Sequence, residues 1–270
     1  MSAGEAKSYA DVAVAELYDT RPIVRDRNDV KFYREMAQEF VRRGQTILEL
    51  GCGTGRVLVP LAKDGHEICG LDLSAAMLGQ CRKRLEAESA EVKSRVRLVE
   101  ANMAGFNLGE KFRLIIVPFR PFQHLEVVEQ QLACLRSAHE HLDEGGRLIV
   151  DFFQTDAQRM HDAKFLEERE TDRDLHLLDG RRLRVTERIV AYHRARQVND
   201  CELAYYVTYP DGRKEKIIHA FHLRYFFRYE VEHLLARCGF RVAALYGDFD
   251  RSPIADNSPE MLFIAEKSGE

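Results

Sequence analysis

Residues 47–57, ILELGCGTGRV, limit what this chain can fold into more than any other stretch. An apolar run carries an acidic residue near its end, Glu49, then meets glycines at Gly51, Gly53 and Gly55, and passes into a helical pattern. Glycine alone lets a main chain bend tightly and approach a ligand closely, so a strand that empties into this turn sets bare backbone against a nucleotide-like molecule. A second apolar run, in GLDLS, ends at Asp72 with Leu73 beside it, about twenty residues beyond the turn, where a βαβ unit places its ribose acceptor. A third, LVEANM, brings Asn102 and Met103 to the end of another short strand. Together the three strand ends predict a site for the tail, sugar and base of one adenosine ligand.

Two other nucleotide readings fit less well. The nicotinamide-dinucleotide fingerprint needs G-x-G-x-x-G, and the sixth position counted from Gly51 is Arg56. A P-loop needs a G-K-[ST] ending that the turn lacks.

From Gln45 to about Phe153, apolar runs alternate with helical stretches, which predicts a parallel sheet with helices on both faces. Ser74 is placed to cap the helix that follows Asp72, and the glycines Gly145 and Gly146 are placed to end the helix that begins near Glu126. Upstream, YADVAVAELYD and DVKFYREMAQEFVRRG carry helical periodicity, and residues 1–44 are expected to form a helical lid. Beyond Phe153, residues 154–176 are charge-rich and read as a loop with a short helix. Three alternating segments follow, RLRVTERIVAYHR, CELAYYVTY and EKIIHAFHLRYF, with a turn at Pro210-Asp211-Gly212. Residues 154–225 therefore read as an inserted antiparallel sheet that roofs a substrate pocket or joins two subunits. The α/β pattern resumes over 226–270, so 45–153 and 226–270 make up the ligand-binding domain.

At 270 residues and 45% hydrophobic content the chain can bury a full core. Charged residues make up 31% but nearly cancel, leaving a formal −4 that offers no broad basic field to a nucleic-acid backbone. Six scattered cysteines, without a C-x-x-C pair or histidines at zinc spacing, suit reduced thiols in a cytoplasm and predict no metal. The start of the chain has no basic, apolar leader, and no apolar run is long enough to cross a bilayer.

On these residues the chain resembles the class I S-adenosylmethionine-dependent methyltransferases from about Tyr9 to Lys267. The resemblance implies a Rossmann-like, mostly parallel sheet of seven strands with the last antiparallel, helices on both faces, and an inserted antiparallel sheet after the fifth strand. It implies that Glu49, Gly51, Gly53 and Gly55 contact the methionine part of the cofactor. Asp72, with Leu73 next to it, is implied to take the ribose, and Asn102 with Met103 the adenine, although many members have aspartate where Asn102 stands. Inserted strands and a histidine after the fourth strand look like the small-molecule N-methyltransferases of the amino-sugar and glycine types, whose pocket histidine matches His124 and whose N-terminal tyrosine matches Tyr18.

Methyl transfer is an in-line displacement at a sulfonium carbon, so the protein must align the nucleophile and keep water away. His124 has a reference pKa suited to taking the acceptor's proton; the plainer reading is a histidine capping the next helix. Phe119 could face the sulfonium with its ring, and Arg120 could orient an acidic group of the substrate or pair with a local carboxylate. In the inserted sheet Tyr206 is the expected substrate contact, and alternation turns Tyr205 the other way. The function expected is transfer of a methyl group from S-adenosylmethionine to a nitrogen of a small polar molecule. The alternatives are an O-methyltransferase of a small metabolite and an S-adenosylmethionine-binding protein without turnover. Partners beyond the substrate are expected to exclude nucleic acid and membrane and to include a second copy as a homodimer.

Overall fold

The computed structural model describes residues 6–269. In chain order the first elements are β1 (Ala6–Lys7), α1 (Val12–Tyr18), α2 (Pro22–Arg25), α3 (Asp29–Phe40), β2 (Thr46–Leu50), α4 (Leu58–Lys63) and β3 (Glu67–Asp72). Next come α5 (Ala75–Glu86), α6 (Ala90–Ser94), β4 (Val96–Glu100), β5 (Phe112–Val117), α7 (Val128–His141) and β6 (Leu142–Phe153). The remainder is β7 (Arg169–His176), β8 (Arg182–His193), β9 (Val198–Thr208), β10 (Lys214–Arg224), α8 (Arg228–Arg237), β11 (Phe240–Tyr246) and β12 (Glu260–Lys267). They divide into two units, one built from Asn28–Thr155 with the chain from Phe226 onward, the other from the chain up to Arg27 with Asp156–Tyr225.

In the larger unit seven strands lie in the order β11-β12-β6-β5-β2-β3-β4. The pairs β2/β3, β2/β5, β3/β4 and β5/β6 are parallel, while β12 runs antiparallel to both β6 and β11. The alternation predicts the parallel sheet, and the resemblance implies this Rossmann-like arrangement with the one reversed strand at the end of the chain. Central strands buried on both faces read as unbroken apolar runs, and Ile47, Leu48, Leu114, Ile115, Ile116 and Ile149 are all fully buried. One core layer packs α7, α8, β5 and β6 residues around Phe112, Phe152 and Phe263, and a second packs α3, α4 and α5 against the other face. α3 buries Phe32, Tyr33, Met36 and Ala37.

Local signals explain where the helices start. The Ser74 side chain accepts from the Met77 N–H, the predicted cap of α5. Gly145 and Gly146 do not end α7. The helix stops at His141, because Leu142 is already extended, and both glycines fall inside β6, Gly145 at φ +70°. A side chain on Gly146 would meet the Arg113 and Asp143 carbonyls at 2.9 Å, so glycine serves a close strand approach there.

The smaller unit is an antiparallel sheet in the order β1-β10-β9-β8-β7, with β1 joining in parallel at one edge. The three segments predicted as strands are β8, β9 and β10, inserted after the fifth strand of the larger sheet. One correction concerns residues 169–176, expected within a loop, which form the edge strand β7. RETDRDLH lacks a period-two pattern because its pairing to β8 slips at Glu170/Asp172 and again at Asp172/Leu175. Charged, irregular edges of this kind resist pairing with other chains. The inner face of the sheet packs Leu183, Val185, Tyr205 and Val207 against Val14 and Leu17 of α1.

Candidate active site

The glycine turn is sewn to the end of β3. The N–H groups of Gly51 and Cys52 both donate to the Leu71 carbonyl, at 2.7 and 3.0 Å, and the Gly53 N–H donates to Oδ2 of Asp72 at 2.7 Å. The other Asp72 oxygen accepts from the Ser74 N–H at 2.8 Å, so a single carboxylate ties the turn to the start of α5. Each carboxylate oxygen has a second acceptor site, which leaves capacity for two ligand hydroxyls. Burial lifts the Asp72 carboxyl above its ordinary range, and the N–H groups of Ser74, Gly53 and Leu73 pull it back. Leu73, next along, exposes two-thirds of its surface, an apolar shelf at the strand tip.

The three glycines do different work. All have positive φ (69°, 53° and 79°). A side chain on Gly51 would meet the Pro121 ring at 2.5 Å, and one on Gly55 would meet the Cys81 sulfur at 2.5 Å, so both are glycine because protein fills the space. Nothing lies within 4 Å of a side chain added to Gly53. Its bare face is the one turned to open space.

Behind the turn sit two buried polar groups with no protein partner for one atom each: Oε2 of Glu49 and the hydroxyl of Thr54. Burial pushes the Glu49 carboxyl well above the usual carboxylate range; Arg56 opposes the shift, while Asp29 and Asp72 add to it. Arg56 is held by both oxygens of the fully buried Asp29, each at 2.6 Å. An unsatisfied buried carboxylate oxygen is costly. A cationic or donor group reaching that oxygen would satisfy it.

Asn102 lies two residues past the end of β4, and its Oδ1 accepts from the Ala104 N–H at 2.9 Å, a local turn rather than a free acceptor. The second lone pair on that oxygen and the amide donors remain available by geometry. Met103 is partly buried against the larger unit's core.

The segment after β5 departs most from expectation. Phe119 and Arg120 both adopt left-handed backbone, at φ 65° and 69°. Their N–H groups donate to the two oxygens of Asp151, a fully buried residue of β6, at 3.1 and 2.8 Å. For Arg120 the sequence leaves two partners open, an acidic group of the substrate or a local carboxylate. Its side chain is buried, its guanidinium paired with Glu260 of β12 and stacked 3.3 Å from the centroid of the Phe153 ring. Phe119 was expected to face a sulfonium; its ring lies 5.1 Å from the Arg56 guanidinium carbon and 5.6 Å from that of Arg120. The chain then makes a 3-10 turn, Pro121–His124, with Phe122 buried against Phe152 and Phe226 and the Gln123 side chain accepting from the Phe153 N–H. His124 ends this turn, half-buried. It does not cap the next helix, since α7 starts at Val128 after a Val127 cap.

Two predicted site residues belong to the smaller unit. Tyr18 ends α1, half-buried, its ring edge-on to Tyr9 at 6.0 Å. The Tyr206 hydroxyl donates to Glu168, and its ring lies under Arg184 (4.0 Å) and Lys216 (4.9 Å), so this side chain is committed to its own sheet. Asp151, Glu260 and Asp29 were missed by the sequence argument. An acidic residue inside the apolar run LIVDFF must find partners once the strand is buried, and that was the available signal for Asp151.

Comparison with known proteins agrees with this geometry. Residues 47–146 match the family described as methyltransferase domain. A dTDP-3-amino-3,4,6-trideoxy-alpha-D-glucopyranose N,N-dimethyltransferase of Streptomyces venezuelae is 30% identical over 148 residues, 55% of this chain and 52% of that protein. The alignment thus spans about half the length of that curated relative. Among solved structures, the CcbJ methyltransferase of Streptomyces caelestis superposes with a TM-score of 0.76 at 23% identity, covering 98% of this chain and 100% of that one. The sugar N-methyltransferase KedS8 of Streptoalloteichus gives 0.72 at 20% identity, covering 100% and 99%. At such identities the superpositions establish the fold. Over residues 47–146 the chain therefore matches a methyltransferase domain, in a fold shared with these methyltransferases.

Among the described residues no helix is long and apolar enough to cross a membrane. None of the six cysteines is in a disulfide.

Proposed function

We propose that the protein transfers a methyl group from S-adenosylmethionine to an amine nitrogen of a small polar molecule, and that an amino sugar carried on a nucleotide is its acceptor class. The observation that carries the reading is the orphaned Glu49 oxygen behind a glycine turn whose one open face is at Gly53. The cofactor has an ammonium for Glu49, ribose hydroxyls for Asp72 and an adenine edge for Asn102 and the Met103 backbone, with Leu73 as an apolar shelf. The tips of β2, β3 and β4 follow one another in the order tail, ribose and adenine, which supports the reading. When bound, S-adenosylmethionine supplies an activated methyl on a sulfonium.

The chain's own work is binding, alignment and proton removal. An amine acceptor arrives protonated at neutral pH and is nucleophilic only after losing that proton. We assign the proton's removal to His124, which stands at the end of the turn following β5, on the edge of the sheet where the other tips converge. The acceptor class draws on the printed activities of the relatives, an amino-sugar N,N-dimethyltransferase and a sugar N-methyltransferase.

Small-molecule action without nucleic acid is supported by the formal charge of −4, and a cytoplasmic setting by the unpaired cysteines. The homodimer belongs to the same reading. Sedimentation at micromolar concentration measures it directly.

The activity test pairs methyl-labelled S-adenosylmethionine with thymidine-diphosphate amino sugars and with matched sugars bearing a hydroxyl at the amine position. Label should enter the amines alone. Label in the hydroxyl sugars, or none in any of them while S-adenosylhomocysteine still binds, would remove the N-methyltransferase reading.

A further inference from the structure

Asp151 is fully buried and aimed at a turn that most residues avoid. Non-glycine residues in left-handed backbone persist only where surroundings over-determine them. Here two stand in succession, Phe119 and Arg120, directly before the turn that ends at His124. Their N–H groups point the same way, into one carboxylate. The side chain of Arg120 is then tied to Glu260 on β12, the strand hydrogen-bonded to β6 and in register there, with Glu260 opposite Phe153 and Leu262 opposite Asp151.

We infer that Asp151, supported by the Arg120–Glu260 pair, is a positioning residue: a latch that holds the Phe119–Arg120 turn left-handed and thereby fixes where His124 presents its ring. The inference rests on the methyltransfer reading above for its consequence in turnover, but the latch itself is a statement about backbone.

Several contacts act in the same direction. Gln123 is buried and accepts from the Phe153 N–H, the Gln131 amide donates to the Leu125 carbonyl at 2.7 Å, and Phe122 sits in the core. The segment from Phe119 to Leu125 is therefore pinned on both sides of His124. Of these pins, only Asp151 stabilises the strained φ values themselves, because it alone accepts the N–H groups that the left-handed turn directs into the protein. An asparagine there has one acceptor oxygen, and its amide group would confront the second N–H with a donor.

The test compares the wild-type protein with Asp151→Asn and Glu260→Gln by hydrogen exchange and by turnover. In Asp151→Asn, amides of 118–124 should exchange about tenfold faster or more, the factor expected when hydrogen bonds to a charged acceptor are lost. Peptides from α5 and α3 should keep their protection. S-adenosylhomocysteine should still bind within about threefold by calorimetry. With the accepted amine, kcat at saturating S-adenosylmethionine should fall at least about tenfold while KM for S-adenosylmethionine changes little, and the acidic limb of the pH–rate profile should shift because the His124 surroundings have changed. A purely structural acid would lower stability without splitting kcat from KM.

Unchanged exchange over 118–124 overturns the latch, and faster exchange with unchanged kcat overturns its role in positioning. Should Asp151→Asn not fold, Glu260→Gln decides alone: it keeps shape, loses only the charge, and must raise exchange over 118–124 or the inference falls. If the wild type binds no S-adenosylhomocysteine, the methyltransfer reading fails, while the exchange arm still judges the latch separately.

Discussion

Replacing Gly53 and Gly51 by alanine should produce opposite failures. At Gly53 an alanine side chain meets nothing within 4 Å, so its only cost to the empty protein is left-handed backbone at φ 53°. That cost is about 1–2 kcal/mol. At Gly51 the same change adds a methyl 2.5 and 2.6 Å from two carbons of the Pro121 ring, closer than real contacts allow. A proline ring cannot swing to another rotamer, so the turn must move, at about 1–3 kcal/mol for overpacking beyond the backbone term. Gly51→Ala should therefore cost about 2–5 kcal/mol in total. Chemical denaturation measures these stabilities, and calorimetry with S-adenosylhomocysteine measures affinity. Gly53→Ala should lose little stability but bind at least about tenfold more weakly, since its methyl occupies the ligand's approach. Gly51→Ala should lose mainly stability. If Gly53→Ala binds as the wild type does, the open face at Gly53 is not where the cofactor lies, and the site assignment is wrong.

Glu49→Gln tests the buried acid. With its folded pKa raised chiefly by burial, Glu49 holds a proton in the native protein that the unfolded chain releases, so stability falls as pH rises from about 5 into the window below that raised value. Thermal melts of the ligand-free wild type should therefore decline over this range relative to Glu49→Gln. Binding of S-adenosylhomocysteine should release a proton in the wild type alone, read from calorimetry in two buffers of different ionisation enthalpy. His124→Asn should leave that binding within about threefold and lower amine methylation by about a hundredfold or more; equal turnover would return His124 to a purely structural role. Tyr206→Phe should change turnover less than about threefold, because the hydroxyl is already spent on Glu168.

What could be read in advance was local. Glycines at a strand end, an acid at the tip of the next strand and a serine before a helix each announce a backbone conformation through their own residue type. Gly53, Asp72 and Ser74 turned out to be linked by hydrogen bonds to one carboxylate. The apolar runs were equally readable, because strands buried on both faces are filled mostly by apolar residues. The segment after β5 was not. Arg120 meets Glu260 across 140 residues and Asp151 holds a backbone 31 residues away, separations that carry no periodic signature. Left-handed backbone at Phe119 and Arg120 is also contrary to residue preference, so no propensity argument predicts it. β7 escaped for a related reason, since two register slips erase the alternation by which a strand is recognised.

The two unusual turns meet at Gly51. The space a side chain would take there belongs to Pro121, the residue following the latched pair, so the turn after β2 packs directly against the turn after β5. One is held by the partly buried Asp72 and the other by the fully buried Asp151, carboxylates that each accept backbone N–H groups from two turn residues. A carboxylate can accept several donors at once and keeps its charge satisfied without a cation, which suits the site proposed above for a cationic ligand. Had lysine or arginine been used to neutralise these acids at the strand tips, the incoming sulfonium and ammonium would meet like charge. The Arg56 and Arg120 guanidiniums obey the same logic, since each is drawn to a buried acid of its own, Asp29 and Glu260. The backbone around the binding edge is thus set before any ligand arrives, and rigid placement of a base and a methyl donor is the contribution an in-line transfer most requires.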